Sequence, residues 1–181
     1  MNIEKTRFKG CYIIKPRIFT DERGSFFESF NKKQFQEQTG LETLFVQDNQ
    51  SVSQKGVLRG LHFQTGDFAQ AKLVRVIKGS VLDVAVDIRP ESETFGQHYS
   101  IILSAQNNTQ LFIPQGFAHG FLVLEDDTIF SYKCDNYYNK ASEGGIIYND
   151  KTLNIDWQDS GLELIISEKD QELPTFDTLY K

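Results

Sequence analysis

In SVLDVAVDIR, residues 80–89, side chains alternate: Leu82, Val84, Val86 and Ile88 fall on one face, Asp83 and Asp87 on the other. A period of two is the mark of a pleated strand, whose successive Cβ atoms point to opposite faces. Short strand-like segments recur as FFESF (26–30), KLVRVI (72–77), HYSIILS (98–104), TQLFI (109–113), HGFLVL (119–124) and TIFSYKC (128–134). Turn chemistry such as PQG and EDD separates several of them. The KGS turn, Lys78–Ser80, predicts a hairpin joining KLVRVI to the strand after it. Only NKKQFQEQTG (31–40) and SEKDQEL (167–173) read as helical, and both are short. Many short strands at this spacing predict a mainly β chain, folded as a jelly-roll sandwich or barrel with a few short helices.

At 181 residues the chain is expected to form one domain, 1–181, with room for a real core. Fifteen Phe and seven Tyr predict a core or pocket rich in rings. The net charge of −6 argues against a nucleic-acid partner, whose phosphates call for Lys and Arg, yet leaves room for a local basic pocket. No apolar run reaches the roughly 18 residues of a membrane span, and no signal peptide is evident, so a cytoplasmic protein is expected. Cys11 and Cys134 have no CxxC spacing and read as ordinary buried thiols.

The stretch GVLRGLHFQ (56–64) is harder to reconcile with a plain core strand, since it carries Arg59 and His62. Other strands share the feature. By parity His119 lies with Phe121 and Val123, Tyr132 with Thr128, Phe130 and Cys134, and Lys72 with Val74 and Val76. Taken singly, Tyr132 reads as core and Lys72 as a strand end whose ammonium stays in water. Together, two His, a Lys and a Tyr on apolar faces read as the lining of a cavity. With three histidines, no HxH, and His98 read as an edge residue, a three-ligand metal site is hard to assemble, so no metal is expected. The chemistry left is proton transfer alpha to a carbonyl, with His as base, an ammonium facing the enolate and a phenol returning the proton.

The stretches FTDERGSFFESFN, FVQDNQSVSQKGVLRGLHFQ, QAKLVRVIKGSVLDVAVDIRPESETFGQ, FIPQGFAHGFLVLEDD and YKCDNYYN follow one another along the chain, then EGGIIYND, IDW and SEKD. In this order, over roughly residues 10–170, the chain resembles the dTDP-4-dehydrorhamnose 3,5-epimerases. The resemblance implies a cupin-type jelly roll that works as a homodimer without metal or other cofactor. It also implies a substrate, dTDP-4-dehydro-6-deoxy-D-glucose, inverted at carbons 3 and 5 of the hexose. The N-terminal segment 1–15 would add to the partner's sheet.

By the same matching positions, His62 would be the base, Asp170 its orienting carboxylate, Lys72 the enolate partner and Tyr132 the acid, with His119 on the sugar. Arg59 and Arg23 would hold the diphosphate, assisted by Lys169. Glu28, Gln47, Asp48 and Asn49 would contact the nucleotide, Tyr138 would stack on thymine, and Glu143 would touch ligand. Without the resemblance, Arg23 reads as a surface turn residue, Tyr138 as a half-buried ring and Asp170 as a helix N-terminal acid. A non-catalytic sugar-nucleotide-binding cupin remains an alternative; it would need Arg59 and Arg23 but not the His–Tyr pair.

Overall fold

The computed structural model describes residues 1–159 and 161–180. In chain order the elements are β1 (Asn2–Lys5), β2 (Tyr12–Lys15), β3 (Ile18–Asp21), β4 (Gly24–Phe27), α1 (Lys32–Thr39), β5 (Gln47–Ser53) and β6 (Val57–Gln64). They continue with β7 (Lys72–Lys78), β8 (Ser80–Asp87), β9 (His98–Ser104), β10 (Gln110–Ile113), β11 (Phe117–Val123) and β12 (Thr128–Cys134). The chain closes with β13 (Glu143–Gly145), β14 (Ile165–Ile166), α2 (Glu168–Gln171) and α3 (Phe176–Tyr180). Two sheets carry the fold. One runs β1-β2-β10-β7-β12-β5; the other runs β13-β6-β11-β8-β9, with β14 also on β6. This is the jelly roll expected from the sequence.

Between the sheets lies a core of Val74, Val76, Leu111, Ile113 and Phe130 from the first and Val81, Ala85, Leu103, Phe117, Phe121 and Val123 from the second. Burying a side chain of Val, Leu or Phe size is worth about 1.5–3 kcal/mol, so this layer is a major source of stability. The outer face of the second sheet is covered too. Leu58, Leu82, Val84, Val86 and Leu122 meet Leu153, Trp157 and Phe176 of the C-terminal segment. There the Trp157 indole N–H donates to the Tyr148 carbonyl, which satisfies its one polar atom. Both faces of β8 are therefore buried, and Asp83 and Asp87 sit on its inward face at zero exposure. Asp87 is compensated by hydrogen bonds from Arg89, Ser92 and Thr94.

Helix α1 covers part of the first sheet's outer face through one buried residue, Phe35, which packs on Phe112. Asn31 caps its start by accepting from the Gln34 N–H, and Gly40, at φ 75°, ends it. The expected KGS hairpin is absent: β7 and β8 belong to different sheets, and the turn carries the chain from one to the other. Gly79 sits against Thr128, where a side chain would collide with Thr128 Oγ1, and Ser80 pairs instead with Ser104 of β9.

Residues 1–15, expected to join a partner's sheet, are paired within the chain: β1 runs along β2, and β2 along β10. Phe8 and Cys11 of the same segment lie in the core. The segment that does stand apart is the hairpin β3–β4, which pairs only with itself. It exposes Ile18, Phe19 and Phe26, the last at 72%.

Candidate active site

A cavity of about 480 Å³ opens between the two sheets. Strand β6 supplies Arg59, His62 and Gln64 to its wall, and β11 supplies His119 and Phe121. From the opposite sheet come Lys72 of β7, Tyr132 of β12 and Gln47, Asn49 and Ser51 of β5, with Tyr138 and Glu143 at one side. Arg59 and His62 are three residues apart, which in a regular strand would send them to opposite faces. The pairing with β11 resolves this: His62 faces His119 and Arg59 faces Phe121, so three steps on β6 match two on β11. The extra residue is a β-bulge. Gly60 makes it possible, because a Cβ there would lie 2.6 Å from the Gly120 Cα, and its φ is +121°.

His62 Nε2 lies 2.8 Å from Asp170 Oδ1, and Asp170 Oδ2 accepts the Gly60 backbone N–H at 3.1 Å. Burial alone would raise the Asp170 pKa, but hydrogen bonds from His62 and the Gly60 N–H outweigh it and hold the carboxyl below its ordinary range. An ionised Asp170 accepts from Nε2–H, which leaves the lone pair of a neutral His62 on Nδ1. Asp170 reaches this position from α2, whose N-cap Ser167 accepts the Asp170 N–H. The strand ahead of that helix, β14, runs parallel to β6 beside Val57 and Leu58.

Lys72 is buried, and its ammonium donates to the His62 carbonyl at 3.5 Å and lies 5.9 Å from the centre of the Tyr132 ring. Burial depresses its pKa, partly offset by the nearby Cys134, Asp83 and Glu143. The Tyr132 phenol is shifted up, by burial first and Cys134 second, with Arg59 opposing. The raised phenol keeps its proton at neutral pH, whereas burial makes the Lys72 ammonium easier to deprotonate than an ordinary lysine. The Cys134 thiol, on the same inward face, is pushed up to about 11 by burial and stays unreactive.

A second His–carboxylate pair was not anticipated. His119 Nε2 lies 2.9 Å from Asp83 Oδ2, and burial lowers the His119 pKa despite that partner. The signal available was the position of Asp83, a carboxylate alternating into an otherwise apolar strand.

Other expected residues divide. Gln47 accepts the Tyr138 N–H and donates to Asn49, so these three are joined at the cavity wall. Glu143 is bound by the Tyr138 hydroxyl and by Lys169 at 2.6 Å; Lys169 lines an adjoining cavity of about 620 Å³ with Leu173 and Leu179. Asp48 points out of the other face of β5, where it pairs with Lys133. Arg23 and Glu28 are not in this cavity. Arg23, with a side chain 85% exposed, pairs with Asp21 on the free hairpin, and Glu28 accepts from Asn31 and Gln34. Among the described residues no three His, Cys, Asp or Glu side chains converge as metal ligands, and no helix is long and apolar enough to cross a membrane.

The jelly roll thus encloses a His–Asp pair, a buried ammonium and a phenol, with an arginine nearby, groups of the kinds that proton transfer on a small anionic substrate calls for. Residues 5–178 match the family model described as dTDP-4-dehydrorhamnose 3,5-epimerase. The dTDP-4-dehydrorhamnose 3,5-epimerase of Escherichia coli K12 is 53% identical over 100% of this chain and 97% of its own length. The crystal structure of the epimerase of that name from Elizabethkingia anophelis NUHP1 has 56% identity and a TM-score of 0.95, covering 98% of this chain and 97% of that one. That of the Legionella pneumophila dTDP-6-deoxy-D-glucose-3,5-epimerase, solved with dTDP-4-keto-L-rhamnose, has 50% identity, a TM-score of 0.93 and coverage of 97% and 93%. The chain belongs to the dTDP-4-dehydrorhamnose 3,5-epimerase family, cupin-type isomerases of dTDP-rhamnose biosynthesis.

Proposed function

We propose that the protein converts dTDP-4-dehydro-6-deoxy-D-glucose to dTDP-4-dehydro-L-rhamnose by inverting carbons 3 and 5. The observation that carries this is the placement of His62 and Tyr132 on opposite sheets around one cavity, with the buried Lys72 ammonium near both. Carbons 3 and 5 both flank the carbon-4 ketone, so one enolate-stabilising group serves both proton abstractions. His62 removes the proton through Nδ1 while Asp170 steadies the imidazolium that results. Lys72 meets the charge that develops on the ketone oxygen. Tyr132, from the other wall, protonates the opposite face of the carbon. Incubation with the ketosugar nucleotide in deuterated water should place deuterium at carbons 3 and 5 of an L-configured product. Label at one carbon alone would make this a single epimerase, and no label at either would defeat proton transfer.

The working unit on this reading is a homodimer, with the exchanged element assigned to the hairpin β3–β4 rather than to residues 1–15. Its support is the apolar exposure of Phe19 and Phe26 and the separation of Arg23 and Glu28 from their own chain's cavity. Carried into the partner's cavity, Arg23 would add a second guanidinium for the diphosphate and Glu28 a nucleotide contact. Arg23→Ala and His62→Asn should each be impaired alone. Co-expressed, they should regain activity, because mixed dimers hold one complete site. A co-expressed mixture no better than its parents would return Arg23 to its own chain's surface.

A further inference from the structure

Among the described residues, two buried side-chain oxygens have no hydrogen-bond partner, Ser51 Oγ and Asp83 Oδ1. Asp83 is already engaged through its other oxygen; Ser51 is not engaged at all. It belongs to the inward row of β5, Gln47, Asn49, Ser51 and Ser53, of which the first three line the cavity. The other three are all occupied. Gln47 and Asn49 bond each other, Asn49 also donates to Cys134 Sγ, and Ser53 Oγ accepts from Arg59 Nη2 at 3.4 Å. Leaving a buried hydroxyl unpaired destabilises the empty protein, since its water is lost without replacement. Ser51 lies one pleat repeat, about 6.6 Å, from Ser53. The Ser53 hydroxyl meets the guanidinium of Arg59, so Ser51 and Arg59 line the same cavity, and Arg59 has no carboxylate partner among the described residues.

We infer that Ser51 is a further substrate-binding residue, whose hydroxyl donates to an oxygen of the phosphate that carries the hexose. A cation without a carboxylate partner and an unpaired hydroxyl that line one cavity form an anion subsite. Its place in the ligand follows from β6: Arg59 and His62 are separated by the bulge alone, so the group at Arg59 must adjoin the group at His62. The neighbour of the reacting hexose is its own phosphate. This assignment rests on the nucleotide-sugar reading above.

The test is Ser51→Ala, read by affinity and by stability. Its Kd for dTDP should rise about 10- to 100-fold, the loss of one hydrogen bond to a charged group. Affinity for dTMP, which lacks that phosphate, should hardly change. The melting temperature without ligand should stay level or rise by about 2–4 °C, because an unpaired hydroxyl has been removed. An unchanged Kd for dTDP overturns the assignment, even if wild-type epimerase activity is intact. A lowered melting temperature accompanying weaker binding overturns it too, since Ser51 would then be a packing residue. Wild-type protein that neither binds dTDP nor exchanges protons of the ketosugar removes the nucleotide-sugar reading and this subsite with it.

Discussion

His62→Asn should abolish both epimerisation and solvent exchange, whereas Tyr132→Phe should abolish epimerisation and leave exchange in place. Asparagine keeps most of the imidazole's volume and a polar contact to Asp170, so the cavity and the 2.8 Å partnership region survive. What it lacks is a lone pair basic enough to take a carbon-bound proton near pH 7, a contribution of about 10²- to 10⁴-fold. Tyr132→Phe preserves the ring that packs near Phe130 and Lys72 but removes the proton on the far wall. His62 could still remove a proton, exchange it and return it to the same face. Deuterium would then enter the hexose with its D-configuration retained, which NMR distinguishes from product. If Tyr132→Phe forms L-configured product at near the wild-type rate, the acid is another group and Tyr132 is cavity wall. If His62→Asn still exchanges, the base is elsewhere, with His119 and its Asp83 the next pair to test.

The second large effect is expected at Lys72. Lys72→Met keeps the length of the stem and removes the charge, so turnover should fall far more than affinity. The loss should be about 2–4 kcal/mol in the barrier, as for one oxyanion donor, or roughly 30- to 1,000-fold in kcat. Stability should move the other way. Burial lowers the folded-state pKa of Lys72 below the ordinary 10.5, so holding it charged destabilises the fold. That penalty is complete below the folded-state pKa. It diminishes as pH rises toward 10.5, where the unfolded chain binds the proton better than the folded one. Lys72→Met should therefore melt higher than wild type at neutral pH, with the gap closing on the alkaline side. Weakened binding with unchanged turnover would assign Lys72 to the phosphates instead.

Alternation made the strands legible, and parity rightly grouped Lys72, His119 and Tyr132 on inward faces, because both are properties of the local chain. The KGS turn was misread because a hairpin and a crossing between sheets use the same glycine, and only the partner strands differ. Asp170 and His62 are 108 residues apart, so no spacing rule could join them; the resemblance did. The sequence shows Asp83 on its strand but not its pairing with His119, because a carboxylate on a strand is ordinarily solvated and its burial depends on two sheets meeting. Arg23 stands outside the cavity because it lies on the hairpin β3–β4, which pairs with neither main sheet, and Glu28 directly follows that hairpin.

The bulge at Gly60 makes the site sensitive to counting as well as to chemistry. Were the bulge ironed out with the residue count unchanged, Arg59 and His62, three apart, would fall on opposite faces of an evenly pleated strand, and the imidazole and guanidinium could no longer share a wall. Leu58 or Leu61, now in the outer apolar layer, would face the cavity in place of one of them. Removing the extra residue as well would leave the two on one wall, so the strand's count and its bulge act as a single device for deciding what is inside the enzyme and what is outside.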